Sequence, residues 1–255
     1  MSAEEEPLRG GNVNAVVRVG DTVRRTAGPW TPAVHALLDH LHAVGFSAAP
    51  RPLGLDEQGR EVLRWVPGRT PYPDTTPLDP PSQLAAVARL VRDFHDAVAG
   101  FVPPPEPRWN ALVPADGDEI IAHHDLAPWN VVLHGDALTL LDWDCAAPGT
   151  RLWDVAYALH GFLPLSAEPG QQHPDTVARL RLFVDVYGLD QAERVALVPM
   201  LARRAWSMHD FLRVQAKAGA EPWSRLWREG HGAAWSADAE WTARRQETWR
   251  AALLD

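Results

Sequence analysis

Two short apolar runs, Val131-Val132-Leu133-His134 and Ala137-Leu138-Thr139-Leu140-Leu141, stand on either side of Gly135-Asp136. Apolar runs bounded by a turn signal predict strands. Gly followed by a polar residue suits the first centre of a two-residue type II′ hairpin turn. Counting outward from that turn pairs 134 with 137, 133 with 138 and finally 130 with 141. Asn130 and Asp142 therefore emerge at the same open end of one hairpin. Strict alternation would point 130 and 142 to opposite faces, so the chain must bend as it leaves the second strand.

Elsewhere the pattern sorts the chain into a strand-rich beginning and a helical remainder. Ala15 to Val19, the turn Gly20-Asp21 and Thr22 to Arg25 read as two strands, preceded by the small-residue loop Gly10-Gly11-Asn12-Val13-Asn14. Thr31-Pro32 opens a helix with Thr31 as its cap, an apolar stripe of Val34, Leu37, Leu38 and Leu41, and Gly45 to close it. Glu61 to Val66 reads as a strand ending at Pro67-Gly68, and the proline-rich stretch from Pro67 to Pro81 marks a passage between two units. Ser82 then opens an amphipathic helix carrying Leu84, Val87, Val91, Phe94 and Val98 on one face. Beyond the hairpin the spacing predicts helices over 151–162, 174–187, 191–218, 222–229 and 236–253. Pro199 would kink or start the third, and Val177, Leu180, Val184 and Tyr187 are expected in the core.

Composition narrows the class. At 255 residues and 46% hydrophobic content, the chain can bury a sizeable core as one or two domains. No apolar stretch approaches the roughly 20 residues that cross a bilayer, and the start Met1-Ser2-Ala3-Glu4-Glu5-Glu6 is acidic rather than signal-like. No membrane partner is expected. The single Cys145 allows no internal disulfide and fits a reducing cytoplasm. A net charge of −9 argues against nucleic acid and is compatible with cationic small molecules. Lys217 is the only lysine, and Ala218 follows it, so a Walker A phosphate loop is excluded.

The chemistry sits at the open end of the hairpin. His123-His124-Asp125-Leu126-Ala127-Pro128-Trp129-Asn130, followed twelve residues later by Asp142, reads as His-x-Asp-Leu-x-x-x-Asn and a second aspartate. One carboxylate can accept a hydroxyl proton, while an amide and another carboxylate can hold Mg²⁺ against a nucleoside triphosphate. Pro128 stiffens the loop.

This motif, with Leu141-Asp142-Trp143-Asp144, Pro148-Gly149 and Leu152-Trp153-Asp154-Val155-Ala156, resembles the aminoglycoside phosphotransferase family. The sharp resemblance spans 123–156. The N-terminal half is also similar to phosphotransferase-like proteins grouped with trifolitoxin immunity proteins. The resemblance implies an α+β, two-lobed, protein-kinase-like fold: a small β-rich N-lobe with one helix over 1–68 and a larger, mainly helical C-lobe over 69–255. It implies Asp125 as catalytic base with His123 the structural histidine of the catalytic loop, and Asn130 and Asp142 as magnesium ligands. Asp154 would brace that loop from the following helix, and Asp144 occupies an often acidic position.

For the nucleotide, ATP or GTP, the resemblance implies Asn14 in the phosphate loop and Arg25, with Arg24 second, in place of the usual lysine. It places the backbone of Arg64 and Val66 at the hinge against the adenine. The helix glutamate that kinases pair with that lysine is missing, Val34 or His35 falling nearest. The acceptor, a hydroxyl-bearing small molecule, would lie at the helical end. There six of the twelve tryptophans fall in the last fifty residues, read as packing ahead of an aromatic pocket, and His209, Asp210 and Glu221 are candidate contacts. Two alternatives stay open: a nucleotide-binding pseudokinase serving immunity or sensing, and an interaction protein using the Trp-rich end.

Overall fold

The turn-bounded strands of the first 64 residues close into one antiparallel sheet. The computed structural model describes residues 5–8 and 16–255, so the loop 10–14 with Asn14 lies outside the described residues. The sheet holds β1 (Glu6–Leu8), β2 (Val16–Val19), β3 (Thr22–Arg25), β4 (Pro52–Leu55) and β5 (Glu61–Arg64), in the order β1-β2-β3-β5-β4. The register pairs Arg25 directly with Glu61 and Thr22 with Arg64. Helix α1 (Thr31–Ala43) packs its stripe Val34, Leu37, Leu38 and Leu41 out of solvent. Its cap differs from expectation. Thr31 is the first helical residue after Trp30, and its hydroxyl accepts from the Gly28 amide at 3.0 Å.

Helix α2 (Pro81–Ala97) buries Leu84, Val87, Val91 and Phe94 as its period requires. The segment His123–Asn130 leaves β6 (Ile120–Ala122), which pairs with β9 (Ala147–Gly149). Between them lies the hairpin β7 (Val131–His134) and β8 (Ala137–Leu140), in the register counted from the sequence. The Leu141 amide donates to the Asn130 carbonyl at 2.8 Å, extending the ladder to that pair. Gly135 takes φ +58, the left-handed value that a II′ turn demands of its first centre. Gly68 docks the interlobe passage on this hairpin. A Cβ there would stand 2.3 Å from the Leu133 carbonyl oxygen, and Arg69 and Leu133 exchange backbone hydrogen bonds of 3.0 and 2.8 Å.

The remainder is helical: α3 (Arg151–Phe162), α4 (Thr176–Tyr187), α5 (Gln191–Lys217), α6 (Trp223–Arg228), α7 (His231–Arg244) and α8 (Gln246–Leu254). Three expectations are corrected. The last segment is two helices broken at Arg245 rather than one, with α7 starting at His231. Val177 is 43% exposed; it lies in the first turn of α4, and Phe183 fills the core beside Leu180 and Val184 instead. Helix α5 starts at Gln191, opened by a capping box between Asp190 and Glu193, so Pro199 lies inside the helix and does not start it. It packs against α3, α6, α7 and α8. Among the described residues no helix is long and apolar enough to cross a membrane.

Candidate active site

The loop from His123 to Asn130 is held from beneath by aromatic packing and by one buried carboxylate. Phe94 meets Trp143 edge-on at 5.0 Å, and Trp143 lies 4.7 Å from the ring of His123, which is fully buried. His123 Nε2 donates to the Leu141 carbonyl at 2.9 Å, so its Nδ1 is the acceptor for the Asp125 amide at 3.3 Å. One imidazole thus ties the amide of Asp125 to the residue before Asp142. Asp154, at the start of α3 and fully buried, accepts from the His123 and His124 amides at 2.8 Å each and from His95 Nε2 at 3.1 Å. These bonds hold His124 at φ +66, a left-handed conformation that non-glycine residues adopt only sparingly.

Asp125 and Asn130 form a unit. Asn130, almost fully buried, donates through Nδ2 to the Asp125 carbonyl at 2.9 Å and to Asp125 Oδ2 at 2.7 Å. Its amide oxygen is therefore the atom left for a cation. The Tyr157 hydroxyl of α3 lies beside the Asp125 carboxylate and favours its charged form. Below it Arg204 of α5, buried, stacks on the Tyr157 ring at 4.2 Å and donates to the His124 carbonyl at 3.2 Å. Burial and the nearby Asp142 charge push the Asp125 carboxyl above its ordinary range. A raised pKa brings a carboxylate closer to the proton affinity a general base needs.

Asp142 supplies the bend that the alternation argument required. It adopts φ 57, ψ 68, left-handed, which turns its carboxylate back into the cleft, where the side chain is 49% exposed. Facing it is Arg25, whose guanidinium is shared among three carboxylates: Nε to Glu61, one terminal nitrogen to Asp142 at 2.8 Å, the other to Asp144 at 2.6 Å. Arg24 points to the other side of the strand, pairing with Asp56 at 3.4 Å, so Arg25 is the cation at the cleft. Glu61, buried at the start of β5, also bonds His35 Nε2 of α1 at 2.9 Å. Burial alone would raise the Glu61 carboxyl, yet His35 and Arg25 together hold it below its ordinary range.

Three carboxylates around one guanidinium leave a formal excess of two negative charges, which suits a divalent cation. Among the described residues there is no ready-made cage of three or more His, Cys, Asp or Glu ligands. The Asn130 amide oxygen and the half-exposed Asp142 carboxylate fit Mg²⁺, which takes one or two protein ligands and completes its shell with phosphates and water.

The crowding is visible in Asp144. Burial, outweighing Arg25 and aided by Asp142 and Glu61, raises its carboxyl to about 6. A group raised in the folded state contributes stability that is complete below its unfolded pKa and is lost as pH rises through the folded one. The metal-free protein is therefore expected to lose on the order of 3 kcal/mol from this group between about pH 4 and pH 7. Urea unfolding at pH 5 and pH 7 checks it: Asp144→Asn should flatten that slope.

In the segment expected to be the hinge, the Arg64 amide donates to the Arg51 carbonyl at 2.8 Å, and Val66 follows two residues on. The candidate acceptor contacts are engaged locally: His209 donates to the Gly232 carbonyl at 2.9 Å, Asp210 accepts from Arg213 at 3.1 Å and Glu221 from Arg228 at 3.1 Å. The C-terminal tryptophans pack: Trp241 on Trp249 at 5.6 Å, Trp235 on His160 at 4.3 Å, and Trp223 on Phe211 at 5.0 Å. Sequence reasoning missed Glu61, His35 as its partner, His95, Tyr157 and Arg204. His95 alone carried a signal, as a histidine adjoining the buried stripe of α2.

Residues 4–111 and 106–183 match the phosphotransferase enzyme family. The chain is 31% identical over 277 residues to the trifolitoxin immunity protein of Rhizobium leguminosarum bv. trifolii, covering 98% of this chain and 99% of that protein. Among solved structures, a choline/ethanolamine kinase family protein from Mesorhizobium loti superposes with a TM-score of 0.65 at 20% identity over 98% of this chain and 93% of its own. An amicoumacin kinase in complex with AMP-PNP and Ca²⁺ gives 0.68 at 15% identity, covering 95% and 88% of the two chains. A point mutant of aminoglycoside 2′-phosphotransferase-IIIa in complex with GDP gives 0.65 at 15% identity over 95% and 92%. These likenesses establish the two-lobed, kinase-like α+β fold.

Proposed function

The chain belongs to the phosphotransferase enzyme family, and from that premise we propose that it moves the γ-phosphate of ATP or GTP, with Mg²⁺, to a hydroxyl of a small molecule. One observation carries the reading: Asp125 and Asn130, hydrogen-bonded as a unit, share the open end of a hairpin with Asp142, opposite the buried cation Arg25. Bound Mg²⁺ would neutralise charge on the phosphates and favour their in-line transfer. The chain's own residues do the rest. Asn130 Oδ1 and Asp142 would hold the metal, and Arg25, whose terminal nitrogens face Asp142 and Asp144, would supply positive charge beside the phosphates. The Arg64 carbonyl and Val66 amide hold the base, and Asp125 accepts the acceptor's hydroxyl proton. Asn130 Nδ2 fixes the direction of the Asp125 carboxylate and His123 its backbone amide, so positioning supplies much of the rate.

The relative named as an immunity protein favours an acceptor that harms the cell until it is phosphorylated. The test is incubation with Mg²⁺ and ATP or GTP against a panel of aminoglycosides, amino alcohols and other hydroxyl-bearing antibiotics. Product should gain one phosphate only with Mg²⁺ and the correct acceptor. A second reading, nucleotide binding without transfer, is favoured by the complete pairing of Arg25 with three carboxylates. Tight nucleotide binding with neither transfer nor acceptor-independent hydrolysis would select it.

A further inference from the structure

The helix carboxylate that kinases use to hold the phosphate-gripping cation is absent from α1, yet Arg25 is not left without one. We propose that Glu61 of β5 and His35 of α1 are positioning residues that together replace it. The carboxylate has moved to the neighbouring strand, and a histidine carries the connection from the helix. The inference rests on the phosphotransferase reading and says which residues aim its cation.

The geometry supports a directed chain. Glu61 stands directly across the ladder from Arg25, so their Cα positions are fixed by backbone pairing rather than by a mobile loop. One oxygen of Glu61 takes Arg25 Nε and the other takes His35 Nε2 at 2.9 Å. The Glu61 side chain is 1% exposed, and that of Arg25 8%. Burial makes each bond matter, because a charged group removed from water and then unpaired is costly. Holding Arg25 by Nε leaves its two terminal nitrogens pointing at Asp142 and Asp144, the side from which a metal and phosphates would approach. A guanidinium anchored at Nε keeps a two-donor fork free for oxygens; a lysine in the same place would have only one nitrogen to divide. Arginine at 25, glutamate at 61 and histidine at 35 therefore form one coherent set.

The test uses the full chain and measures Kd for Mg²⁺-ATP, KM and kcat for both substrates, and the melting temperature without ligand. Glu61→Gln keeps shape and removes charge; it should weaken Mg²⁺-ATP about tenfold or more, the loss of one charge-assisted hydrogen bond, while the acceptor KM stays unchanged. His35→Ala, at a partly exposed helix position, should give a smaller effect of the same kind with an unchanged fold, and it carries the decision if Glu61→Gln does not fold. Adding His35→Glu to Glu61→Gln returns a carboxylate to the helix and should recover nucleotide affinity, which a merely structural role would not do. Wild-type affinity in both Glu61→Gln and His35→Ala would overturn the proposal and leave the phosphotransferase reading standing. Failure of the wild type itself to bind Mg²⁺-nucleotide would overturn both.

Discussion

Asp125→Asn is expected to lower turnover about a hundredfold or more, within the roughly 10²–10⁴ that a general base contributes, while leaving the fold and nucleotide binding intact. The reason is local. The substitution keeps the side-chain volume and an oxygen to accept from Asn130 Nδ2, which now bonds Oδ2 at 2.7 Å. It removes the one group placed to take the hydroxyl proton. The Asp125 carboxyl is already pushed above its ordinary range by burial and by Asp142, so neutralising it relieves a repulsion and should not lower stability. The check is steady-state kinetics alongside unfolding. A drop in kcat with an unchanged melting temperature and nucleotide Kd separates lost chemistry from lost structure, and near-normal turnover would remove Asp125 from the mechanism.

Asp154→Ala is expected to act in the opposite way, through stability. Its carboxylate is fully buried and satisfies two backbone amides and His95. Truncation leaves three buried donors without partners, at about 1–3 kcal/mol each. A loss of about 3 kcal/mol or more is expected, a large share of the roughly 5–15 kcal/mol that holds a typical domain. The same carboxylate predicts acid sensitivity. Burial would raise its pKa, but the His95 hydrogen bond and the surrounding histidines outweigh that and lower it to about 2. A depressed group stabilises above its unfolded pKa, and that contribution, about 2 kcal/mol, is lost as pH falls from about 4 to 2. Urea midpoints of wild type and Asp154→Ala at pH 7 measure the first effect. Activity should fall as well, because the His123 and His124 amides that set the loop lose their anchor.

Residue spacing carried the catalytic hairpin to the right register because two strong local rules agreed there: a Gly-polar turn and short apolar runs on both sides. The same alternation demanded a bend at Asp142, which the structure realises as a left-handed residue. The stripes of α1 and α2 were legible for the same reason, a period of 3.6 with no competing signal. What sequence could not show is contact between distant segments. Glu61 lies 36 residues from Arg25, and nothing in its own strand distinguishes it from a solvent-facing glutamate. His35 looked like a gap in a motif until its partner was found on β5. Tyr157 and Arg204 read as ordinary helix residues, since their place beneath Asp125 depends on how α3 and α5 pack. Val177 failed for a simpler reason: a first-turn residue can match the period and still overhang the edge of the core.

A metal–nucleotide site at Asp142 is central to this reading, and the most direct measurement is thermal unfolding with ATP and with GTP, with and without Mg²⁺, in wild type and Asp142→Asn. At a hundredfold excess over Kd a bound nucleotide adds about 2.7 kcal/mol, so wild type should melt several degrees higher with at least one nucleotide, only when Mg²⁺ is present, and the variant should not respond. No stabilisation of wild type, or equal stabilisation of Asp142→Asn, would contradict a metal–nucleotide site there.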